Sequence, residues 1–126
     1  MKYKSILLID DDDDDKEIFL AALEKLNKPI NCTAFNNAND ALVTLEARAK
    51  LPDIIFLDLN MPVMNGQQFL RELKKREALR NIPVIVVSTT SNADTILSTK
   101  ALGANGFITK PSKFNELINV LASILI

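Results

Sequence analysis

The chain has 126 residues, 48% hydrophobic and 25% charged, which describes one ordinary globular domain able to bury a core without disulfides or a structural metal. It contains no histidine and a single cysteine, Cys32. No hydrolase with an imidazole base, no zinc hydrolase built on histidines, no cysteine-based zinc site and no phosphohistidine can therefore reside in it.

Fifteen basic residues nearly balance sixteen acidic ones, yet residues 1–15 hold six Asp against two Lys. An acidic spot on a mildly basic body argues for a cation site rather than a nucleic-acid footprint. Four apolar residues, 6–9, separate Met1-Lys2-Tyr3-Lys4-Ser5 from the aspartates, too short a stretch for a signal peptide. No run approaches the roughly 18 apolar residues of a membrane helix. The expectation is a soluble cytoplasmic protein with no membrane contact.

Residues 6–9 read as a first strand, and Ile18, Phe19, Ala22, Leu23 and Leu26 as one face of a first helix. Asp13, Asp14 and Asp15 precede that helix as cap and dipole complement. A second strand over 30–35 leads to a helix marked by Leu42, Leu45 and Ala49, and a third over 54–57 to one marked by Phe69, Leu70 and Leu73. Arg71, Lys74, Lys75, Arg76 and Arg80 on this third helix are interleaved with Glu72 and Glu77, with Glu72 and Arg76 at i,i+4. They read as a solvated face, not a nucleic-acid surface. A fourth strand over 84–87 is followed by a weaker helix around Ile96 and Leu97, capped near Ser91 or Asn92. A fifth strand over 106–109 precedes a helix running from about Lys113 to the end, with Leu117, Leu121 and Ile124 on one face.

Each strand start lies 22 to 30 residues after the last, room for a strand, a crossover helix and two short loops. The continuous apolar character of strands one, three and four says that both faces are covered. The fold class is α/β, a (βα)5 doubly wound parallel sheet, with ligands expected outside the carboxyl ends of its strands. Those ends carry Asp10-Asp11, Asp58, Ser88-Thr89 and Lys110-Pro111. The aspartate run leaves open a register one residue later, toward Asp12. Three ionised carboxylates repel by about 4 kcal/mol per pair at roughly 4 Å, so a proton, Lys110 or a metal must relieve them. An all-oxygen site suits Mg²⁺, and Mg²⁺ with a lysine and a hydroxyl suits phosphoryl chemistry. A calcium loop of the EF-hand type fails, because Asp15 and Ala21 stand where Gly and Glu are required.

ILLIDD over 6–11, DLNMPVMNG over 58–66, VIVVST over 84–89 and FITKP over 107–111 together resemble the receiver domain of two-component response regulators, across the whole chain. The resemblance implies a flavodoxin-like strand order 2-1-3-4-5, and Asp58 as phosphoacceptor from a phosphohistidine on a sensor histidine kinase or histidine phosphotransfer protein. It implies that Asp10, Asp11, Asp58 and the backbone carbonyl of Asn60 hold Mg²⁺. Lys110 then pairs with the phosphoryl group, Ser88 and Phe107 form the switch, and Asn60 and Thr90 tune phosphoryl lifetime. Thr89 departs from the smaller Ala common there. Residues 1–126 are expected to form one receiver domain with no output domain, signalling through helix four, strand five and helix five to a downstream protein rather than acting as an enzyme on other molecules.

Two other functions compete. A haloacid-dehalogenase-type Mg²⁺ phosphatase needs a second Asp where Asn60 stands; a phosphorylation-independent interaction module leaves the retained site groups without a purpose. Ile118, Leu125 and Ile126 lie beyond the apolar face of the last helix, which suggests a homodimer or partner contact there.

Overall fold

The computed structural model describes residues 3–126; the reading that begins at Met1 and Lys2 lies partly outside the described residues. Five strands and five helices alternate: β1 (Ser5–Ile9), α1 (Asp13–Lys25), β2 (Asn31–Phe35), α2 (Ala38–Ala47), β3 (Ile54–Asp58), α3 (Gly66–Lys75), β4 (Val84–Ser88), α4 (Ala93–Ala101), β5 (Gly106–Thr109) and α5 (Phe114–Leu125). The strands form one sheet in the order β2-β1-β3-β4-β5, and every pairing is parallel. All carboxyl ends therefore emerge along one edge, and β1, β3 and β4, the strands with continuous apolar runs, are neighbours in the sheet.

The sheet separates two cores because successive strand residues face opposite ways. Leu7, Ile9, Ile55, Leu57, Val84 and Val86 pack with Leu42 and Leu45 of α2 and Phe69, Leu70 and Leu73 of α3. Ile6, Leu8, Ile54, Phe56, Ile85 and Val87 pack with Phe19 and Leu23 of α1 and Leu117, Leu121 and Leu125 of α5. The Phe19 and Phe56 rings meet at 5.1 Å between centroids in a tilted pair, a favoured aromatic geometry. Every residue of β3 and β4 is buried, whereas in the edge strand β2 three residues are exposed and Cys32 and Phe35 are half-buried.

Several local expectations shift. α2 ends at Ala47, so Ala49 lies beyond it. Asp12, not the three residues after it, caps α1: its side chain accepts from the Asp15 backbone N–H at 2.9 Å, and Asp13, Asp14 and Asp15 form the first turn. Asn92 caps α4. In α5 the buried stripe is Leu117, Leu121 and Leu125, spaced by four, while Ile124 is only half-buried. Leu125 thus belongs to the core, which leaves Ile126 and Phe114 as the large exposed apolar side chains near the ends of this helix. The basic residues of this region are partly paired: Arg76, just past the end of α3, bonds Glu46 and Glu72, Lys75 bonds Glu72, and Lys74 Nζ donates to the carbonyl of Arg80, which also lies beyond the helix. Among the described residues no helix is long and apolar enough to cross a membrane.

Candidate functional site

β1 and β3 run side by side with Ile9 opposite Leu57, so Asp10, just past the end of β1, and Asp58, the last residue of β3, stand side by side. β3 pairs with β4 through Asp58 and Val87, and β4 with β5 through Ser88 and Thr109. Lys110 follows, with its backbone N–H donating to the Ser88 carbonyl at 2.7 Å. Parallel register alone thus collects Asp10, Asp58, Ser88 and Lys110 from four segments at one edge of the sheet.

Asp10, Asp11 and Asp58 each offer a carboxylate oxygen within 4.8 Å of the others. Asp10 and Asp58 are buried, at 4% and 7% exposure, while Asp11 is exposed. Burial pushes the Asp58 carboxyl up to about 6; the charges of Asp10 and Asp11 add to this, and Lys110 and the backbone N–H of Asn60 oppose it. Burial also raises Asp10, against a hydrogen bond from the Asp12 N–H at 3.0 Å and the pull of Lys110. Burial draws the Lys110 ammonium down, but Asp15, Asp10 and Asp58 outweigh it, and the net direction is upward. One half-buried ammonium faces an excess of carboxylates. A hard divalent cation fits this donor set, since all its side-chain ligands are oxygen.

The remaining expected residues fall around this centre. Asp12 is drawn away as the helix cap, which removes the later register. Asn60 is exposed at the mouth. Gly66 holds the β3–α3 loop closed: its N–H donates to the Leu59 carbonyl at 3.0 Å, and a Cβ there would stand 2.7 Å from the Asp58 carbonyl oxygen. Asn65 and Gln68 close a reciprocal capping box on α3 at 2.9 Å in each direction, which fixes the start of that helix.

Ser88 is fully buried, and its Oγ accepts from the Thr90 N–H at 3.3 Å. Thr109 Oγ1 donates to the Thr90 carbonyl at 3.2 Å, tying the loop after β4 to β5. Thr89 is exposed. Phe107 is half-buried on the α4 side of the sheet, where it lines a cavity of about 170 Å³ with Ile96, Thr99 and Lys100. The ring therefore has open volume beside it.

Asp15 is the residue that sequence reasoning assigned elsewhere. Its Oδ2 lies 2.8 Å from Lys110 Nζ, nearer than Asp10 at 3.4 Å or Asp58 at 4.0 Å. The signal available was its position in the first turn of α1, on the side that packs against α5. The carboxylate run disguised it as one more dipole complement.

Comparison with known proteins agrees with this geometry. The chain is 34% identical over 73 residues to the response regulator Rcp1 of Synechocystis sp., covering 58% of this chain and 50% of Rcp1. It superimposes on the phosphorylated cyanobacterial phytochrome response regulator RcpA with a TM-score of 0.87 at 32% identity, covering 97% of this chain and 91% of that one. The Mn²⁺-bound form of Rcp1 gives a TM-score of 0.84 at 27% identity, covering 96% and 91%. The chain spans about half or less of the length of the curated relatives it matches. The sequence pattern of the response regulator receiver domain matches residues 6–122, and with the strand order and the clustered carboxylates in place, the chain belongs to that family.

Proposed function

We propose that this receiver domain is a phosphorylation switch in which Asp58 accepts a phosphoryl group from a phosphohistidine on a sensor histidine kinase or histidine phosphotransfer protein. The observation that carries the reading is the convergence of Asp10, Asp11 and Asp58 within 4.8 Å, with Lys110 facing them. An Asp58 oxygen attacks phosphorus, the P–N bond of the donor breaks, and its electron pair leaves with the imidazole nitrogen, which the donor's surroundings protonate. With a carboxyl value of about 6, Asp58 is mostly ionised at neutral pH and able to attack. Lys110 neutralises the phosphoryl oxygens as the group arrives.

Asp10, Asp11, Asp58 and the Asn60 backbone carbonyl would hold Mg²⁺, which supplies charge neutralisation between the carboxylates and the incoming phosphoryl oxygens. The Mn²⁺-bound form of the similar Rcp1 supports a divalent cation as the natural partner of this fold's acidic edge. Ser88 is placed one residue beyond the Asp58–Val87 pair and would donate its hydroxyl to the phosphoryl group. Phe107 would turn into the volume beside α4 as Ser88 moves. Asn60 and Thr90, at the mouth and in the loop after β4, would tune phosphoryl lifetime. The protein's chemistry is then on itself alone, and its output is a changed surface on α4, β5 and α5, read in the cytoplasm by a downstream protein. A second copy docking on α5 remains part of the proposal, though burial of Leu125 reduces the apolar area available to it.

Intact-mass spectrometry after incubation with acetyl phosphate tests the reading, comparing wild type with Asp58→Asn, each with Mg²⁺ and with EDTA. One phosphoryl adduct that requires both Asp58 and Mg²⁺ is expected. No adduct, under conditions that label another receiver domain, would overturn it in favour of a phosphorylation-independent interaction module.

A further inference from the structure

The Lys110 ammonium makes its shortest contact not with the buried pair but with Asp15, the most solvated of its three partners. The distances are 2.8 Å to Asp15, 3.4 Å to Asp10 and 4.0 Å to Asp58, while the three carboxylate side chains are 40%, 6% and 9% exposed. An ammonium attracted by buried carboxylates, where charges are less screened, would settle on them unless something held it outward. Asp15 is built to do so. It sits in the first turn of α1, and its backbone N–H is fixed to the capping Asp12 side chain at 2.9 Å. Lys110 is likewise held at its backbone, where its N–H donates to the Ser88 carbonyl at 2.7 Å, so it is the long side chain that must choose among the three carboxylates.

We infer that Asp15 is a positioning residue that draws Lys110 away from Asp58, leaving the acceptor oxygen open while keeping the ammonium where a phosphoryl oxygen can meet it. This rests on the phosphoacceptor reading of Asp58. At 4.0 Å Lys110 does not cap Asp58 with a hydrogen bond, and a phosphoryl oxygen on Asp58 can lie to the side of the line between them, within hydrogen-bond distance of the ammonium, without Lys110 leaving its place. Without the Asp15 carboxylate, the ammonium falls onto Asp10 and Asp58, where it both blankets the nucleophile and competes with a divalent cation.

The sign of the effect separates this role from a general field effect. Removing a negative charge near the site, with no tether involved, eases the approach of an anionic phosphodonor and speeds labelling. Loss of the tether slows it. Asp15→Asn is therefore expected to slow labelling of Asp58 by acetyl phosphate about two- to fivefold, the range for a half-exposed ion pair. Asp14→Asn removes the same charge from an exposed neighbour and is expected not to slow it. Asp15→Glu keeps a carboxylate within reach and is expected to recover most of the rate.

Binding provides a second readout that needs no phosphorylation. By isothermal titration, Asp15→Asn is expected to raise the Mg²⁺ concentration for half-saturation about two- to fivefold. In a Lys110→Gln background the same substitution is expected to have no more effect than Asp14→Asn. An Asp15→Asn protein labelled as fast as wild type, or a Mg²⁺ effect that persists undiminished without Lys110, would overturn the assignment. If wild type itself takes no adduct, the phosphoacceptor reading falls, and the Mg²⁺ cycle still decides whether Asp15 acts through Lys110.

Discussion

Asp58 combines burial, two neighbouring carboxylates and the proposed role of nucleophile in one side chain, and its energetics follow from that conflict. Its folded-state value of about 6 stands above the ordinary 3.8, so the folded protein holds this proton more tightly than the unfolded chain does. The associated stabilisation is complete below about pH 4 and is lost as pH rises through 6. Asp58→Asn, which cannot ionise, should therefore be more stable than wild type at pH 7 by about 3 kcal/mol, and the difference should shrink toward pH 4. Urea unfolding in EDTA across this range measures it. A difference that does not vary with pH would mean that desolvation of the Asp58 carboxylate is not its source. At this scale the sequence was readable where position at a strand end dictates chemistry: Asp10, Asp58 and Lys110 meet because parallel register puts each at, or one residue past, the end of its strand. Asp15 was not readable, because its partner is a side chain 95 residues away and only the tertiary fold brings the start of α1 to the end of β5.

The helices and loops show where local pattern ends and tertiary context begins. α3 was legible because Phe69, Leu70 and Leu73 are all fully buried, a full apolar stripe on an otherwise polar helix. α4 gave a weak signal for a physical reason: among its residues only Thr99 is buried, and Leu97 is 64% exposed. A helix so lightly tied to the core suits the surface proposed to change on phosphorylation. The end of α5 was misjudged by one position, since Ile124 and Leu125 are both apolar and only the spacing of four from Leu121 selects the latter. The β3–α3 loop held a feature that no pattern announced. Val63 has φ of 69° and is fully exposed, a left-handed conformation that a β-branched residue adopts at a cost. Asn tolerates that region, and no side-chain contact is lost at a fully exposed site. Val63→Asn should stabilise the fold by about 1 kcal/mol, seen as a higher urea midpoint with an unchanged slope. An equal or lower midpoint would show that the loop relaxes the strain by other means.

At the scale of the whole molecule, periodicity was enough to specify five strands, five helices and a sheet covered on both faces, because β1, β3 and β4 are apolar without alternation. The order β2-β1-β3-β4-β5 was not in the periodicity; it came with the family resemblance, and the exposed pattern of β2 shows in retrospect why that strand belongs at an edge. The sheet is also the element through which the acidic edge and global stability are linked. Carboxylates that repel one another in the folded state are dispersed in the unfolded chain, so a cation that binds the cluster binds the folded state preferentially and stabilises it. At a Mg²⁺ concentration about a hundred times its dissociation constant, the gain should be about 2.7 kcal/mol at pH 7. It should fall well below this at pH 5, where Asp58 is mostly protonated and the upward shift of Asp10 acts in the same direction, since a protonated carboxyl is a poor ligand. KCl at matched ionic strength screens the repulsion without bridging the carboxylates, and should give a much smaller gain at either pH. Thermal unfolding with Mg²⁺ and with KCl at the two pH values separates the cases: equal gains from both salts would make the acidic edge a screened surface, whereas a gain specific to Mg²⁺ and to pH 7 would tie the stability of the whole fold to Asp10, Asp11 and Asp58.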